Sequence, residues 1–479
     1  MKLALSRKNI WERLPRSLKA IFGAALGAVP QQHLLGKNFR KHLNFVQQAQ
    51  WWSADQAREY QLAELRRICS QAYEKTAYYR RTFSMVGFDP RDLRGLEDLR
   101  SVPTIDRSTL GAHLQEMCTT SPQAANVDYT ATGGTSGMPL SFYIGANRSH
   151  VEYAYLAASW QRVGFKLGLP FAVFRGRTVS RGPSGLYHEY DPLLRYHCYS
   201  NFHMTDANMR RYMEHVRGIG PCFLHVYPSS VTTLARFLLR SGTEPPANIQ
   251  GIIAESEIVY PDQRRLVETV FGRRLFSCYG LTEKVVAAAE CEGSVNYHVW
   301  PTYGFFELLD DGGNPVSQQG QRGEIVGTGF INSVVPFIRY RTGDYATYIA
   351  DSCLECGRAH LLIADIQGHR IQESLVTSDG TSITWTALNM HDDTFNNVQQ
   401  FQFYQDTPGR AVLRIVPTRS YTDTDKQRIE HRLQQKFDQR LLLDFELVET
   451  IALSRSGKAI YVDQHIPEVM TGPTVHPNT

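Results

Sequence analysis

From about residue 129 the chain alternates short apolar runs with longer amphipathic stretches. Phe171–Phe174, Cys222–Tyr227 and Ile249–Ala254 are almost wholly apolar and bounded by turns, the pattern of strands buried on both faces of a parallel sheet. Between and after them Met209–Val216, Val231–Leu239 and Pro261–Phe271 keep a helical period. The alternation predicts an α/β fold with a parallel sheet. Upstream, Ser53-Ala-Asp-Gln56 has capping-box spacing, and Leu62, Leu65, Ile68, Cys69 and Ala72 continue a helix, so residues 1–128 read as a helical lead-in. Asp89-Pro90 and Val102-Pro103-Thr104 are breakers that separate these helices from the α/β region. Downstream, Gly304–Leu309, Gly323–Gly329 and Asp344–Ala350 predict strands of a small β unit.

A boundary falls near Ile366–Glu373, giving a large N-terminal domain (1–366) with more than one core and a small C-terminal domain (367–479). The latter reads as α+β. A hairpin over Leu375–Ile383 turns at Ser378-Asp379-Gly380. Strands at Gln400–Tyr404 and Ala411–Val416, a helix at Thr424–Leu441 and a strand near Asp444–Glu449 come after it. Residues 467–479, rich in Pro and Thr, are expected to fray.

Composition narrows the class without naming a chemistry. The 479 residues make about three domain-sized units, and 42% hydrophobic content is enough for several cores. No charge-free apolar run reaches the ~18 residues of a membrane span. The net charge of +4 (51 Lys+Arg against 47 Asp+Glu) gives no reason to expect nucleic acid as partner. Basic residues in Met1–Lys19 followed by the apolar Ala20–Val29 have the form of a signal peptide. The alternative is an amphipathic helix with Trp11, Leu14, Leu18, Ile21 and Phe22 on one face, packed on the body or touching a membrane surface peripherally. The helix is favoured, because motifs further along the chain need an intracellular nucleotide; a cytoplasmic location is the expectation.

Eight cysteines are too sparse for a disulfide scaffold. Cys69, Cys118, Cys198, Cys222 and Cys278 stand singly and read as small buried hydrophobes. Cys353-Leu-Glu-Cys356-Gly is a knuckle able to turn two thiolates toward one ion, with Cys291 and His298 upstream to complete four ligands. Spacing alone leaves a redox pair, or two unpaired thiols and a surface histidine, equally open.

The segment richest in chemistry is Tyr129-Thr-Ala-Thr-Gly-Gly-Thr-Ser-Gly-Met-Pro-Leu140, whose glycines and hydroxyls let a backbone wrap closely round phosphates. It contains no Gly-Lys-Ser/Thr, so it is not a Walker A loop. Residues 132–139 resemble the phosphate loop of the adenylate-forming superfamily of acyl- and aryl-CoA ligases, luciferases and peptide-synthetase adenylation domains. Tyr279-Gly-Leu-Thr-Glu283, Arg339-Tyr-Arg-Thr-Gly-Asp344 and Ser454-Arg-Ser-Gly-Lys458 are similar to three further superfamily motifs and stand in the same order. Leu140 in place of a lysine, together with the Cys/His set, points to the phenylacetate–CoA ligase branch and, within it, to CapK-like capsule-biosynthesis proteins.

The resemblance implies roles. Thr132, Gly133, Gly134, Thr135, Ser136 and Gly137 would hold the β and γ phosphates of ATP. Glu283, beside Thr282, would hold Mg²⁺. Tyr279 and Gly280 would lie against adenine, Ser256 and Glu257 would contact its edge, and Asp344 would accept both ribose hydroxyls. Lys458 would meet the carboxylate and the α-phosphate as charge gathers there. It also favours structural Zn²⁺ on Cys291, His298, Cys353 and Cys356. The acid pocket is expected near Tyr227–Ser229, Ala254 and Tyr279, with Tyr187-His188 and His197–Asn201 as further candidates.

At the hinge the family's Gly-Arg reads Gly368-His369-Arg370, so either His369 is an insertion or replacement and Arg370 keeps the nucleotide contact, or that contact has changed; Gln372 or Glu373 is the expected pivot. The reading is an AMP-forming carboxylate ligase with CoA as acceptor. An amine or amino-sugar acceptor in polysaccharide assembly, a non-catalytic nucleotide- or acyl-binding component, and a zinc-dependent catalyst are the alternatives.

Overall fold

The computed structural model describes residues 26, 29–132, 140–146, 148–368, 374–384, 388, 390, 393–452 and 460–466. The N-terminal segment before residue 26, Gly133–Gly137 in the glycine-rich loop, His369, Arg370, Gln372, Glu373, Lys458 and the 467–479 tail all lie outside the described residues.

Helices α1 (Gly36–Ala49), α2 (Ala54–Lys75), α3 (Ala77–Met85) and α4 (Arg107–His113) form the lead-in. The expected capping box opens α2: Gln56 N–H donates to Ser53 Oγ at 3.2 Å and Ser53 N–H to Gln56 Oε1 at 3.0 Å. Leu65, Ile68, Cys69 and Ala72 are buried along one α2 face. Strands β1 (Val127–Thr132) and β2 (Leu140–Gly145) pair antiparallel, with Thr132 opposite Leu140.

After α5 (Arg148–Trp160) come β3 (Phe171–Phe174), β4 (His188–Asp191), β5 (Tyr196–Tyr199), α6 (Asp206–Arg217), β6 (Cys222–Val226), α7 (Pro228–Ser241), β7 (Ile249–Ala254), α8 (Pro261–Phe271) and β8 (Leu275–Gly280). Helices α7 and α8 both start on proline and stop at a left-handed glycine, Gly242 (φ 62°) and Gly272 (φ 58°). The remaining body strands are β9 (Ala287–Glu290), β10 (Tyr297–Val299), β11 (Gly304–Leu309), β12 (Arg322–Gly329), β13 (Tyr340–Ala350) and β14 (Leu362–Gln367).

These form one 12-stranded sheet in the order β11-β12-β13-β14-β10-β9-β8-β7-β6-β3-β5-β4. Strands β5, β3, β6, β7 and β8 are parallel, and the rest pair antiparallel. The strands expected to make a separate β unit are therefore hydrogen-bonded into the same sheet as the parallel ones. Phe174, Tyr212, Leu224 and Leu234 fill the core on one face of the parallel strands, and Trp160, Phe171 and Phe223 the core on the other. Helices α2, α3 and α4 pack with β11–β14 in a further core, whereas α1 packs on α5 in another.

The C-terminal part contains the expected hairpin, β15 (Ser374–Val376) and β16 (Ser382–Thr384), turning at Gly380 (φ 77°). Then come β17 (Val398–Thr407), β18 (Arg410–Pro417), α9 (Asp423–Phe437), β19 (Leu442–Leu447) and β20 (Val462–Gln464). The sheet order is β19-β18-β17-β20. Helix α9 stops earlier than expected because residues 438–440 tighten into a 3₁₀ turn, and the strand after it starts two residues earlier. The core of this part takes in Phe202 and Tyr227 from the large body, and Tyr129 Oη donates to Asn396 Oδ1 at 2.9 Å.

Gly304 opens β11 at a point of close backbone approach. A Cβ there would stand 2.2 Å from Val285 O and 2.8 Å from Thr328 O. Because both obstacles are backbone, relief requires the main chain to move. Gly304→Ala is expected to cost about 1–3 kcal/mol of stability in chemical denaturation; an unchanged midpoint would contradict this packing.

Candidate functional site

In an open α/β sheet the carboxyl ends of parallel strands are where ligands bind, because loops leaving the sheet there diverge. Four such ends meet here: Arg175 after β3, Tyr227 after β6, Glu255 to Glu257 after β7, and Tyr279 and Gly280 ending β8. Tyr279 Oη donates to Asp344 Oδ2 at 2.8 Å across 65 residues of chain, and burial, then the Asp344 charge, pushes the Tyr279 phenol well up. Glu283 is 7% exposed and accepts from Tyr340 Oη at 3.3 Å. Two of the recognised segments, 279–283 and 339–344, therefore face each other through two tyrosine–carboxylate hydrogen bonds.

The second segment is shaped by its neighbours. Arg339, with a left-handed backbone (φ 51°), makes a buried two-point pair with Glu307, both bonds 3.0 Å, and donates to Val102 O at 2.7 Å. Pairing between β12 and β13 shifts register between Glu324 and Val326. At that irregularity Gly343 sits at φ 73° and donates N–H to Glu324 Oε1 at 3.1 Å, while Asp344 N–H donates to Thr342 Oγ1 at 3.0 Å. The strand expected over Asp344–Ala350 thus begins earlier, at Tyr340, and is interrupted where glycine is needed.

Under the strand ends lies a charged network that sequence reading missed. The Arg175 guanidinium donates to Glu255 Oε2 (2.9 Å), His225 Nε2 (2.7 Å) and Ser256 Oγ (2.7 Å), and Trp160 Nε1 donates to Glu255 Oε1 (3.1 Å). Its only signal in the sequence is a charged residue directly after each of two apolar strands. Burial works against the Glu255 carboxylate, yet His225 and Arg175 hold it down at about 2. Burial and Arg175 push His225 itself below its ordinary value, so the guanidinium is the cation that keeps Glu255 ionised. Arg175 also lies 5.5 Å from the Tyr227 ring centroid. Of the expected adenine-edge residues, Ser256 is held left-handed (φ 71°), and Glu257 accepts from Ser229 N–H (2.9 Å) and Oγ (3.0 Å) at the start of α7. Thr282 is half-buried beside Glu283, and Thr132 ends β1.

The cysteine and histidine set is brought together. Strand β10 pairs with both β9 and β14, which carries the loop after β9 onto the loop before β14. Ligand atoms of Cys291, His298, Cys353 and Cys356 all lie within 4.8 Å of one another. Cys291 Sγ and Cys353 Sγ are 3.8 Å apart, and Cys356 Sγ and His298 Nε2 3.4 Å. Two thiolates on one tetrahedral zinc, with Zn–S about 2.3 Å, stand about 3.8 Å apart. The donors therefore fit zinc, and the sulfur separation is far beyond a disulfide's ~2.05 Å. Gly357 (φ 76°) makes the knuckle, its N–H donating to Cys353 O at 3.0 Å. Burial, then Arg162 and Arg358, push His298 to about 3, leaving its imidazole neutral, the form that binds a metal. Cys69, Cys198, Cys222 and Cys278 are buried singly, as expected, and Cys118 is half-buried.

Of the further pocket candidates, burial and the neighbouring imidazoles push His188 to about 3, and burial with His215 pushes His197 to about 4. Among the described residues no helix is long and apolar enough to cross a membrane.

Residues 375–465 match the family described as the CapK C-terminal domain. A phenylacetate-coenzyme A ligase of Thermus thermophilus is 26% identical over 319 residues, covering 66% of this chain and 70% of the relative. One from Pseudomonas putida is 28% identical over 296 residues, covering 61% and 66%. Protein CapK of Staphylococcus aureus is 22% identical over 348 residues, covering 70% and 74%. In fold, the chain superposes on 2-hydroxyisobutyryl-CoA ligase in complex with 2-HIB-AMP and CoA with a TM-score of 0.58 at 20% identity, over 88% of this chain and 93% of that one.

The Arg175 network yields a signed prediction. A carboxylate held at about 2 contributes stability above its ordinary pKa of ~4.3, and loses it as pH falls toward 2. Arg175→Met is expected to cost about 3–5 kcal/mol at pH 7, less as the pH is lowered and Glu255 protonates. The double variant with Glu255→Gln should recover part of the loss. Denaturant unfolding at several pH values checks this; a pH-independent loss below about 1 kcal/mol would contradict it.

Proposed function

Taking the chain as a homologue of the phenylacetate-coenzyme A ligases and of CapK, within the adenylate-forming ligases, we propose that it joins a carboxylic acid to AMP and passes the acyl group to CoA. In the first half-reaction a carboxylate oxygen bonds to the α-phosphorus of ATP and pyrophosphate leaves. In the second the CoA sulfur bonds to the acyl carbon, AMP leaves and the thiol proton is released.

The observation that carries the reading is the pairing of Tyr279 with Asp344 and of Tyr340 with Glu283 at the strand ends. It supports a nucleoside site with Tyr279 and Gly280 against the base and Asp344 toward the ribose, where a carboxylate offers two acceptor oxygens to two hydroxyls. Ser256 and Glu257, following β7, would border the base. Glu283 with Thr282 would hold Mg²⁺, which when bound draws charge from the phosphates and lowers their repulsion of the incoming carboxylate. Tyr340 would orient Glu283 for that task. The glycine-rich residues 132–137 join two paired strands, and a phosphate grip there is part of the proposal. So is the role of Lys458, a point charge for the carboxylate and α-phosphate, and of Arg370 in the nucleotide contact. The acid would enter between Tyr227, Ser229 and Ala254.

A second reading differs only in the acceptor. In it an amine, for example on an amino sugar, takes the place of the CoA thiol. Exchange of labelled pyrophosphate into ATP across a panel of carboxylic acids tests the shared half-reaction. Exchange with at least one acid is expected. None with any acid, in protein shown to bind ATP, would overturn it. Lys458→Ala should reduce exchange by about 10²-fold or more while ATP still binds; full activity would remove it from the mechanism. Adding CoA or amines then tells the acceptors apart.

We assign Cys291, His298, Cys353 and Cys356 to a structural zinc, since four protein ligands leave no position for substrate. Elemental analysis should find zinc, one equivalent of it lost in Cys353→Ser, and chelation should lower the melting temperature. A folded protein equally stable with and without chelator would contradict the assignment.

A further inference from the structure

A second group of potential metal donors lies at the β4 edge of the large sheet. In the pairing of β4 with β5, His188 stands opposite Tyr199 and Tyr190 opposite His197. Directly opposed residues share a face, and so do residues two apart along a strand. His188, Tyr190, His197 and Tyr199 therefore all project from one face. His215, from the last turn of α6, meets them there. The alternation Tyr187-His188-Glu189-Tyr190 and Tyr196-His197-Cys198-Tyr199 in the sequence is the trace of this arrangement.

The spacing is that of ligands. One ring nitrogen from each of His188, His197 and His215 lies within 4.8 Å of the others. His188 Nε2 and His197 Nδ1 are 3.1 Å apart. Two imidazole nitrogens bound to one ion at about 2.1 Å stand roughly 3.0–3.4 Å apart, in octahedral or tetrahedral geometry. The third histidine is oriented from behind, with His215 Nδ1 2.7 Å from Tyr199 Oη. If that nitrogen carries the proton and donates it to the phenol oxygen, Nε2 keeps its lone pair, as in ligating histidines whose other nitrogen is hydrogen-bonded. The ring centroids of His188 and His215 are 4.3 Å apart. All three side chains are half-buried, so the group is anchored yet reachable from solvent.

We propose that His188, His197 and His215 bind a borderline divalent transition ion such as Zn²⁺, Co²⁺ or Ni²⁺, at a site separate from the Cys/His298 set. Three neutral imidazoles favour such ions over Mg²⁺ or Ca²⁺, which prefer oxygen. Three protein ligands leave at least one coordination position for water or an exogenous ligand, unlike the four-ligand set. The His site lies on β4, β5 and α6, whereas the cysteines lie around β9, β10 and β14, so either can be emptied while the other is kept.

The test is the zinc held by the full chain after equilibrium dialysis against micromolar Zn²⁺. Wild-type protein is expected to retain one equivalent more than either His197→Gln or His215→Gln, whatever the cysteine site holds. Cys356→Ser should leave that extra equivalent in place, so the two assignments fail independently. If both histidine variants retain as much zinc as wild type, the proposal is overturned. A second measurement needs no histidine substitution, should those variants not fold. Co²⁺-loaded wild type should show contact-shifted imidazole N–H proton resonances from more than one histidine. Resonances from a single histidine, the number His298 alone can supply, would overturn the proposal.

Discussion

Strand β8 changes partners halfway along its length, and the site depends on that change. Leu275, Phe276 and Ser277 pair parallel with Ile252, Ile253 and Ala254 of β7. The next three residues, Cys278, Tyr279 and Gly280, pair antiparallel with Ala289, Ala288 and Ala287 of β9. One six-residue strand thereby welds the parallel part of the sheet to the antiparallel part. Tyr279 lies at the weld, where its hydroxyl reaches Asp344 on β13. A slip of one residue would turn Tyr279 to the other face and break that contact.

The features legible in the sequence are those that local physics decides. The buried parallel strands show as apolar runs, and the helices as a capping box and a helical period, because these signals need only neighbouring residues. The cysteine knuckle was legible as a pattern because two cysteines two residues apart and closed by glycine stand out from the other, isolated cysteines. Pairing between distant segments was not. Nothing local in Gly304–Leu309 says that it belongs to the same sheet as Phe171–Phe174, and β20, three residues long, gains its identity only by lying beside β17. The bulge at Gly343 was hidden for the same reason: its cause is Glu324 on the neighbouring strand.

The charged network below the site was illegible for a different reason. An arginine directly after an apolar run ordinarily reads as surface, and burying it is costly unless its partners come with it. Here Glu255, His225 and Ser256 come from two other strand ends, so the compensation is visible only in three dimensions. The three-histidine face was half legible. His188 and His197 stood out only as pocket candidates and His215 not at all, because their convergence depends on α6 meeting that face. Strand ends gather the nucleotide-binding candidates, the β9, β10 and β14 region gathers the cysteines with His298, and a sheet edge gathers the histidines, so the three groups of candidate ligands share no residue.

The central claim is that a carboxylate oxygen becomes bonded to the α-phosphorus of ATP. It is tested most directly by tracing that oxygen. The protein is incubated with ATP, Mg²⁺, CoA and carboxylic acids carrying ¹⁸O in both carboxylate positions, and the AMP formed is weighed by mass spectrometry. Acyl transfer to sulfur breaks the carbon–oxygen bond and leaves one acid oxygen on the phosphate, so AMP bearing a single ¹⁸O is predicted. Unlabelled AMP alongside thioester product, or ADP in place of AMP, would contradict the account.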